Sequence, residues 1–275
     1  CEIENYKIIG MPPPSSGGIA LTQLLQMANY YDFKKIEHNG KDYIHILSEM
    51  EKLVYADRSK YLGDSDFFEV PIGELLDKKY NLSRFKSIDF NKAKNSNNIN
   101  YGNVSFQENE ETTHFSIVDN HGNAVSVTTT LNANFGSKVF VNDLGFLLNN
   151  EMDDFSAKPG VPNAYGLIGN TANAIEPGKR MLSSMSPTIV ETPEGELFLV
   201  AGSPGGSTII TTTAQIIMNV IDFGMNMEDA VETPRFHHQW LPDMIQFESS
   251  GFSPETVNAL GNRGHAFKYR ASIGE

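Results

Sequence analysis

The stretch EETTHFSIVDNHGNAVSVTTTLNANFGS, residues 110–137, sets Thr112 and Thr113 in front of two alternating apolar–polar runs separated by Asn-His-Gly-Asn. Alternation at period 2 about such a turn spells a β-hairpin, with TTHFSIVD and AVSVTTTL as its strands. Thr is a good strand residue on steric grounds alone. It gains a second use only at a free amino terminus. There its own α-amine, titrating near ~8, lies beside its own hydroxyl and can act as the base. Freeing that amine requires a break at Glu111–Thr112. The Thr112 hydroxyl attacks the Glu111 carbonyl, an ester forms, and water hydrolyses it. Adjacent strand residues point to opposite faces, so only one of the two threonines can face a site, and spacing leaves open which.

What flanks the hairpin suits such a break. Residues 89–110, DFNKAKNSNNINYGNVSFQENE, are poor in apolar side chains and rich in Asn and charge, the composition of a mobile linker. Residues 1–88 read as mainly helical. In KDYIHILSEMEKLVYADRSKYL, Tyr43, Ile46, Leu47, Met50, Leu53 and Val54 recur at 3.6-residue spacing, which predicts a helix with one buried face. PIGELLDKKYNLSRF is a further helical piece. After the hairpin, SPTIVET and ELFLVAG form a second one around Pro-Glu-Gly. Residues 207–223 are a helix, NMEDAVETP is a short capped one, FHHQWLPDMIQFE is strand-like, and SPETVNALGNRG is a helix with a Ser cap and a Gly stop. Hairpins with helices on either side predict a layered α+β body beginning at Thr112.

Composition narrows the function. A formal charge of -13 argues against nucleic acid or an anionic membrane as partner, because phosphate binding needs clustered Lys and Arg. The most apolar run, STIITTTAQIIMNVIDFGM, is interrupted by Gln215, Asn219 and Asp222 and reads as a buried helix, not a membrane span. The lone cysteine, Cys1, excludes an internal disulfide. A Cys at a free amino terminus could itself be a nucleophile, but neither a hairpin nor a glycine-rich loop follows it directly. The opening CEIENYKIIGMPPP reads as the interior of a longer chain.

Four more stretches carry chemistry. NNEMDDF places Glu151 and Asp154 three apart, two carboxylates able to hold an ammonium group; a metal is the rival reading, weakened by the lack of an EF-hand pattern or a nearby His. LSSMSP holds Ser183 and Ser184 outside the G-x-S-x-G order of a serine-hydrolase elbow. GSPGGS, with Gly205 and Gly206, lacks the lysine of a phosphate loop but lets backbone approach a ligand closely. His237 and His238 are adjacent in a strand, face opposite ways and read as structural. Tyr165, in a loop of Gly, Pro and Asn, means nothing by itself.

Taken in order, TTHFS, NNEMDDF, PNAYGL, KRMLSSMSPTIV and AGSPGGS resemble the γ-glutamyltransferase (γ-glutamyl transpeptidase) family of N-terminal-nucleophile hydrolases. The resemblance implies a four-layer αββα sandwich with a helical large-subunit portion. Residues 1–111 would be the C-terminal part of a large subunit, ending in a mobile linker over 89–111. Residues 112–275 would be the small catalytic subunit, incomplete at its C-terminus. It also selects the first Thr: Thr112 as nucleophile, Glu111–Thr112 as the self-cleavage site, and Thr130 as its hydrogen-bond partner. Asn132, Glu151 and Asp154 would hold the α-amino end of a γ-glutamyl group, with Ser183 and Ser184 on its α-carboxylate. Gly205 and Gly206 would form an oxyanion hole, and Tyr165 would shield the pocket. The implied substrates are glutathione and related γ-glutamyl compounds, with amino acids, peptides or water as acceptors. No cofactor and no metal is called for, and the implied location is periplasmic or secreted. A related amidase, such as a cephalosporin or glutaryl acylase or a polyglutamate-processing enzyme, is the alternative, and an unprocessed ligand-binding homologue is the non-enzyme one. Two departures stand out. Met181 replaces the family's usual Pro, an expected loosening of the serine loop. The family's carboxylate-binding arginine is expected upstream of Cys1, and Arg180 is not assigned that role.

Overall fold

A computed structural model of the chain describes residues 2–99, 112–161 and 168–274. Its centre is α2 (Lys41–Tyr61), packed between α1 (Gly17–Ala28) on one side and α7 (Pro254–Asn262) on another. The 3.6-residue apolar pattern is there, but burial does not stop at one face: Glu49, Glu51, Lys52, Asp57 and Arg58 are buried too. This corrects the expectation of a one-sided amphipathic helix. Neighbours on every side leave α2 no solvent face, so its charged residues must find partners inside. The helical piece at 71–85 resolves into α3 (Ile72–Leu75) and α4 (Lys78–Phe85), the latter capped by the Asp77 side chain on Tyr80 N.

Two short strands, β1 (Glu2–Ile3) and β2 (Tyr6–Ile9), precede α1. The main sheet runs β1-β2-β7-β8, with β7 (Thr188–Glu191) and β8 (Leu197–Ala201) forming the second expected hairpin. A segment assigned to helices thus donates strands to the sheet, antiparallel to β7 through pairs such as Ile8↔Val190. Ile8, Val190, Leu199 and Ala201 share one core with α1, α2 and α5 (Ile209–Ile221). The hairpin β3 (Thr113–Val118) and β4 (Ala124–Thr129) lies against the other side of this sheet, with Ser116 and Ser126 reaching the Val200 and Ala201 carbonyls. Helix, sheet and second sheet are three of the four layers of an αββα sandwich. Phe115, Ile117 and Val125, on the hairpin's far face, are 45–56% exposed. The remaining elements are β5 (Phe140–Val141), β6 (Phe146–Leu147), α6 (Met227–Glu232), β9 (Phe236–His237), β10 (Ile245–Glu248) and β11 (Phe267–Arg270). No helix among the described residues is long and apolar enough to cross a membrane.

The linker reading of 89–111 fails over its first eleven residues, 89–99, the remainder lying outside the described residues. Ser96 and Ile99 are buried. Asp243 accepts from Ser96 N at 2.9 Å and Ser96 Oγ at 2.8 Å, while the Trp240 indole donates to the Ser96 and Ile99 carbonyls at 3.0 and 3.1 Å. Lys52 donates to the Lys94 carbonyl at 2.9 Å, and His45 Nε2 bonds the Asp89 carbonyl at 2.8 Å. The segment's polarity serves to satisfy a buried charged cluster, a role that composition cannot distinguish from solvation. His45, Glu49 and His265 could present ligand atoms within 4.8 Å of one another to a metal. The cluster already holds a cation of its own, since Lys52 Nζ lies 2.7 Å from Glu49 Oε1 and His45 Nδ1 bonds His265 Nε2 at 2.7 Å.

Removing one member of a buried ion pair leaves the other uncompensated. Lys52→Met should therefore cost about 3–5 kcal/mol in urea unfolding, whereas Lys52→Met combined with Glu49→Leu should recover most of the loss. A single variant as stable as the parent would contradict this account of the cluster.

Candidate active site

The hairpin's register decides which threonine faces inward. Thr113 pairs with Thr129 and Phe115 with Val127 on the outer face, while His114 and Thr128 lie on the inner one, joined by a 2.9 Å bond from the imidazole to the Thr128 hydroxyl. Period 2 carries Thr112 and Thr130 to the inner side. Both line a narrow, solvent-open cleft with Arg58, Asn132, Asp154, Ser183, Ser184, Met185, Gly206 and Ser207. Thr130 Oγ1 accepts from Asn132 N at 2.8 Å, and Asn132 adopts φ 77°, a left-handed conformation that Asn tolerates. Asn132 Nδ2 in turn donates to the Asn150 carbonyl at 3.2 Å, tying the end of β4 to the acidic turn Glu151–Asp154.

The serine loop is pinned against the start of α1. Ser16 N and Ser16 Oγ donate to the Ser183 carbonyl at 2.8 and 2.6 Å, and Ser15 Oγ donates to the Met185 carbonyl at 2.7 Å. Gly17 permits this approach, since a Cβ there would sit 2.3 Å from the Met185 carbonyl oxygen. Into the same corner α2 sends Arg58, only 4% exposed. Its Nε donates to Ser16 Oγ at 2.9 Å and its Nη2 to Ser184 Oγ at 3.0 Å, and among the described residues no carboxylate forms an ion pair with it. Burial lowers its pKa, partly opposed by the charge of Asp154. Asp154 is the opposite pole. Burial, then the like charge of Glu151, push its carboxyl up to about 7, and Arg58 pulls the other way. The cleft therefore offers a guanidinium with hydroxyls on one side and a half-buried carboxylate on the other, a complement to a group carrying both charges. The helical run beginning at Gly206 aims its N-terminus at the same space.

The family model "Gamma-glutamyltranspeptidase" matches residues 1–275. The chain belongs to that family. It is 51% identical over 273 residues to the Escherichia coli glutathione hydrolase proenzyme, which covers 99% of this chain and 47% of the relative. The chain thus spans about half the length of the curated relatives it matches. A solved Helicobacter pylori gamma-glutamyltranspeptidase mutant superposes with TM-score 0.58 at 56% identity, covering 59% of this chain and 87% of that one. Bacillus halodurans cephalosporin acylase superposes with TM-score 0.80 at 25% identity, over 100% of this chain and 47% of that one. The family's N-terminal-nucleophile fold is therefore the fold of this chain.

Among the family residues expected from sequence, the cleft gathers Thr112, Thr130, Asn132, Asp154, Ser183, Ser184 and Gly206. Glu151 lies outside its lining but on the same one-turn 3-10 helix as Asp154, near enough to raise that carboxyl. Gly205 is buried behind Gly206 and does not line the cleft. Glu111 and Tyr165 lie outside the described residues. The loop expected to loosen at Met181 is held on both sides: Arg180 N donates to Asp64 at 2.9 Å and Leu182 N to Asn173 at 2.9 Å. Arg180 itself pairs with Asp64 and with Asp66 at 2.6 Å, away from the serines. Arg58 is the residue sequence reasoning missed. Its signal in the sequence was its position, four residues after Val54 and so on the side of α2 that the apolar residues mark. His237 and His238 are both buried; His237 bonds the Thr211 hydroxyl at 2.8 Å, and the Trp240 amide donates to His238 Nδ1 at 3.1 Å.

The cleft's electrostatics can be read without a substrate. In a carboxyl-carbon NMR titration, Asp154 should show a midpoint near 7. Glu151→Gln should lower that midpoint by removing a like charge, and Arg58→Met should raise it. A wild-type midpoint at the ordinary Asp value of about 4 would mean that Asp154 is not desolvated in the cleft.

Proposed function

We propose that the full-length protein is a γ-glutamyltransferase and glutathione hydrolase that matures by cutting itself between Glu111 and Thr112. The observation that carries this reading is the meeting, in one cleft, of Thr112 at the head of β3 with the separated charges of Arg58 and Asp154. A γ-glutamyl group bears an ammonium and a carboxylate on one carbon, so a selective cleft needs both complements within one residue's span. Asp154, with Asn132 and Glu151, would take the ammonium. Ser183, Ser184 and Arg58 would take the carboxylate, a planar acceptor suited to guanidinium. The γ-carbonyl then falls toward Thr112.

In the first reaction Thr112 Oγ attacks the Glu111 carbonyl, the C–N bond breaks to leave an ester and a free Thr112 α-amine, and water then releases the Glu111 carboxylate and the Thr112 hydroxyl. That amine becomes the base for the second reaction. It takes the Thr112 hydroxyl proton as Oγ attacks the γ-carbonyl, with the Gly206 N–H stabilising the oxyanion and Thr130 orienting the nucleophile. The proton passes to the departing amine, a γ-glutamyl ester remains on Thr112, and water or an acceptor amine removes it. Residues 1–111 and 112–275 would then belong to separate subunits of one precursor. Glutathione and related γ-glutamyl compounds are the proposed substrates, amino acids, peptides and water the acceptors, and the periplasm or exterior the location. Tyr165 is assigned the cleft's shield.

Because Asp154 must be ionised to hold an ammonium, KM for a γ-glutamyl anilide should rise as pH falls through about 7, and Asp154→Asn should flatten that limb. Mass spectrometry of the full-length protein should find two chains with Thr112 as a new amino terminus. Thr112→Ala should stay whole; a cleaved variant refutes self-cleavage by this residue. During turnover one glutamyl unit should add to the peptide that begins at Thr112. Asp154→Ala should lower kcat/KM by a factor corresponding to about 2–5 kcal/mol, and a deaminated glutaryl amide should erase most of that deficit. A wild type that prefers the glutaryl amide would favour the acylase reading, which the whole-chain likeness to cephalosporin acylase keeps as the second one.

A further inference from the structure

We infer that Thr208 is a positioning residue for the oxyanion site, its hydroxyl fixing the plane of the Gly205–Gly206 peptide so that Gly206 N–H stays aimed into the Thr112 cleft. The inference deepens the proposed function and rests on it. In a trans peptide the carbonyl and the following N–H point in opposite directions. The Gly205 carbonyl accepts twice from the same residue, from Thr208 N at 3.0 Å and from Thr208 Oγ1 at 2.8 Å. Both bonds draw that carbonyl back into the first turn before α5. The Gly206 N–H must then face the other way, on the side where Gly206 lines the cleft with Thr112.

Two further observations give the bond its weight. Gly205 and Gly206 both have positive φ, 125° and 54°. A glycine pair without side chains can rotate its shared peptide at little steric cost, so its orientation must be imposed from outside. Thr208 also sits at the N-cap of α5, where a Thr oxygen ordinarily accepts from the backbone N–H two or three residues on. Here it makes no such cap bond. Its hydroxyl is spent backward, on Gly205, and the side chain is fully buried. Thr211 and Thr213 make comparable bonds to the carbonyls of Thr208 and Ile209, but those carbonyls belong to peptides within α5 and not to the glycine pair. Among the described residues, the Thr208 hydroxyl is the one side-chain donor to the peptide whose N–H borders the Thr112 cleft.

Thr208→Val keeps the shape and removes the hydroxyl; Thr208→Ser keeps the hydroxyl. In the full-length protein, with each rate normalised to the amount of processed Thr112 terminus, Thr208→Val should lower kcat for a γ-glutamyl anilide about ten- to a hundredfold. KM should stay within about twofold, since the grip on the α-amino and α-carboxylate groups lies elsewhere in the cleft, and Thr208→Ser should restore most of kcat. Thermal melts run alongside; if the Val variant does not fold, the Thr208→Ala and Thr208→Ser pair gives the same comparison. An active wild type whose Val or Ala variant keeps its kcat overturns the inference alone. So does a loss of kcat that Ser does not restore, or one that KM and melting temperature follow in proportion. A wild type that forms no ester on Thr112 overturns the proposed function, and this inference with it.

Discussion

A guanidinium buried in a protein is costly unless its donors are met and its charge is answered. Arg58 has two of its donors met, by Ser16 Oγ and Ser184 Oγ, and through them it ties together three parts of the chain that are far apart in sequence. Ser16 in turn holds the Ser183 carbonyl, so the turn that enters α1, the end of α2 and the serine loop form one rigid corner. The charge is the unanswered part. With no carboxylate paired to it among the described residues, Arg58 leaves the cleft one fixed positive charge, and Asp154 faces it as a carboxyl poised between its two states. The rest of the arrangement follows from needing a rigid wall behind an unfilled charge.

Much of the fold was legible from pattern. The two hairpins, α5, α6 and α7 sit where period-2 alternation, apolar runs and caps put them, because each is governed by local chemistry. What escaped was governed by distant partners. Nothing in CEIENYKII says that β2 will lie beside β7, a strand some 180 residues on. The parallel pairing of β10 with β11 is equally invisible, being set by the helix between them. The strap 89–99 was misread for a related reason. Asn, Ser and Lys suit both solvated chain and a buried polar cluster, and only the position of Glu49, Lys52, Trp240 and Asp243 distinguishes the two.

The cleft divides in the same way. Thr112, Asp154, Ser183, Ser184 and Gly206 could be singled out because they lie in short stretches with their own signature. Arg58 has no such stretch around it. Periodicity places Arg58, four residues after Val54, on the same side of α2 as Tyr43, Leu47 and Met50, but it reads only the apolar residues of that side. In a helix covered all round the buried charged residues are the most informative ones in it. The hairpin of β3 and β4 is a middle case: a count of two says that Thr112 and Thr113 face opposite ways, and the seat of Ser116 and Ser126 on β8 decides that Thr112 is the inner one.

The hairpin that begins at Thr112 is also the least buttressed of the chain's main β elements. Five of the six residues of β3 are exposed, and apolar Phe115, Ile117 and Val125 look outward. Two strands alone are marginal in water, and regions with few buried contacts open at low free-energy cost. Amide hydrogens of β3 and β4 would accordingly exchange faster than those of α2 or α5 in these 275 residues taken by themselves. Such an apolar, partly uncovered ribbon is also where two copies would first stick together. The placement of Thr112 is thus no firmer than the ribbon it heads, and whatever stiffened that ribbon's outer face would stiffen one wall of the cleft as well.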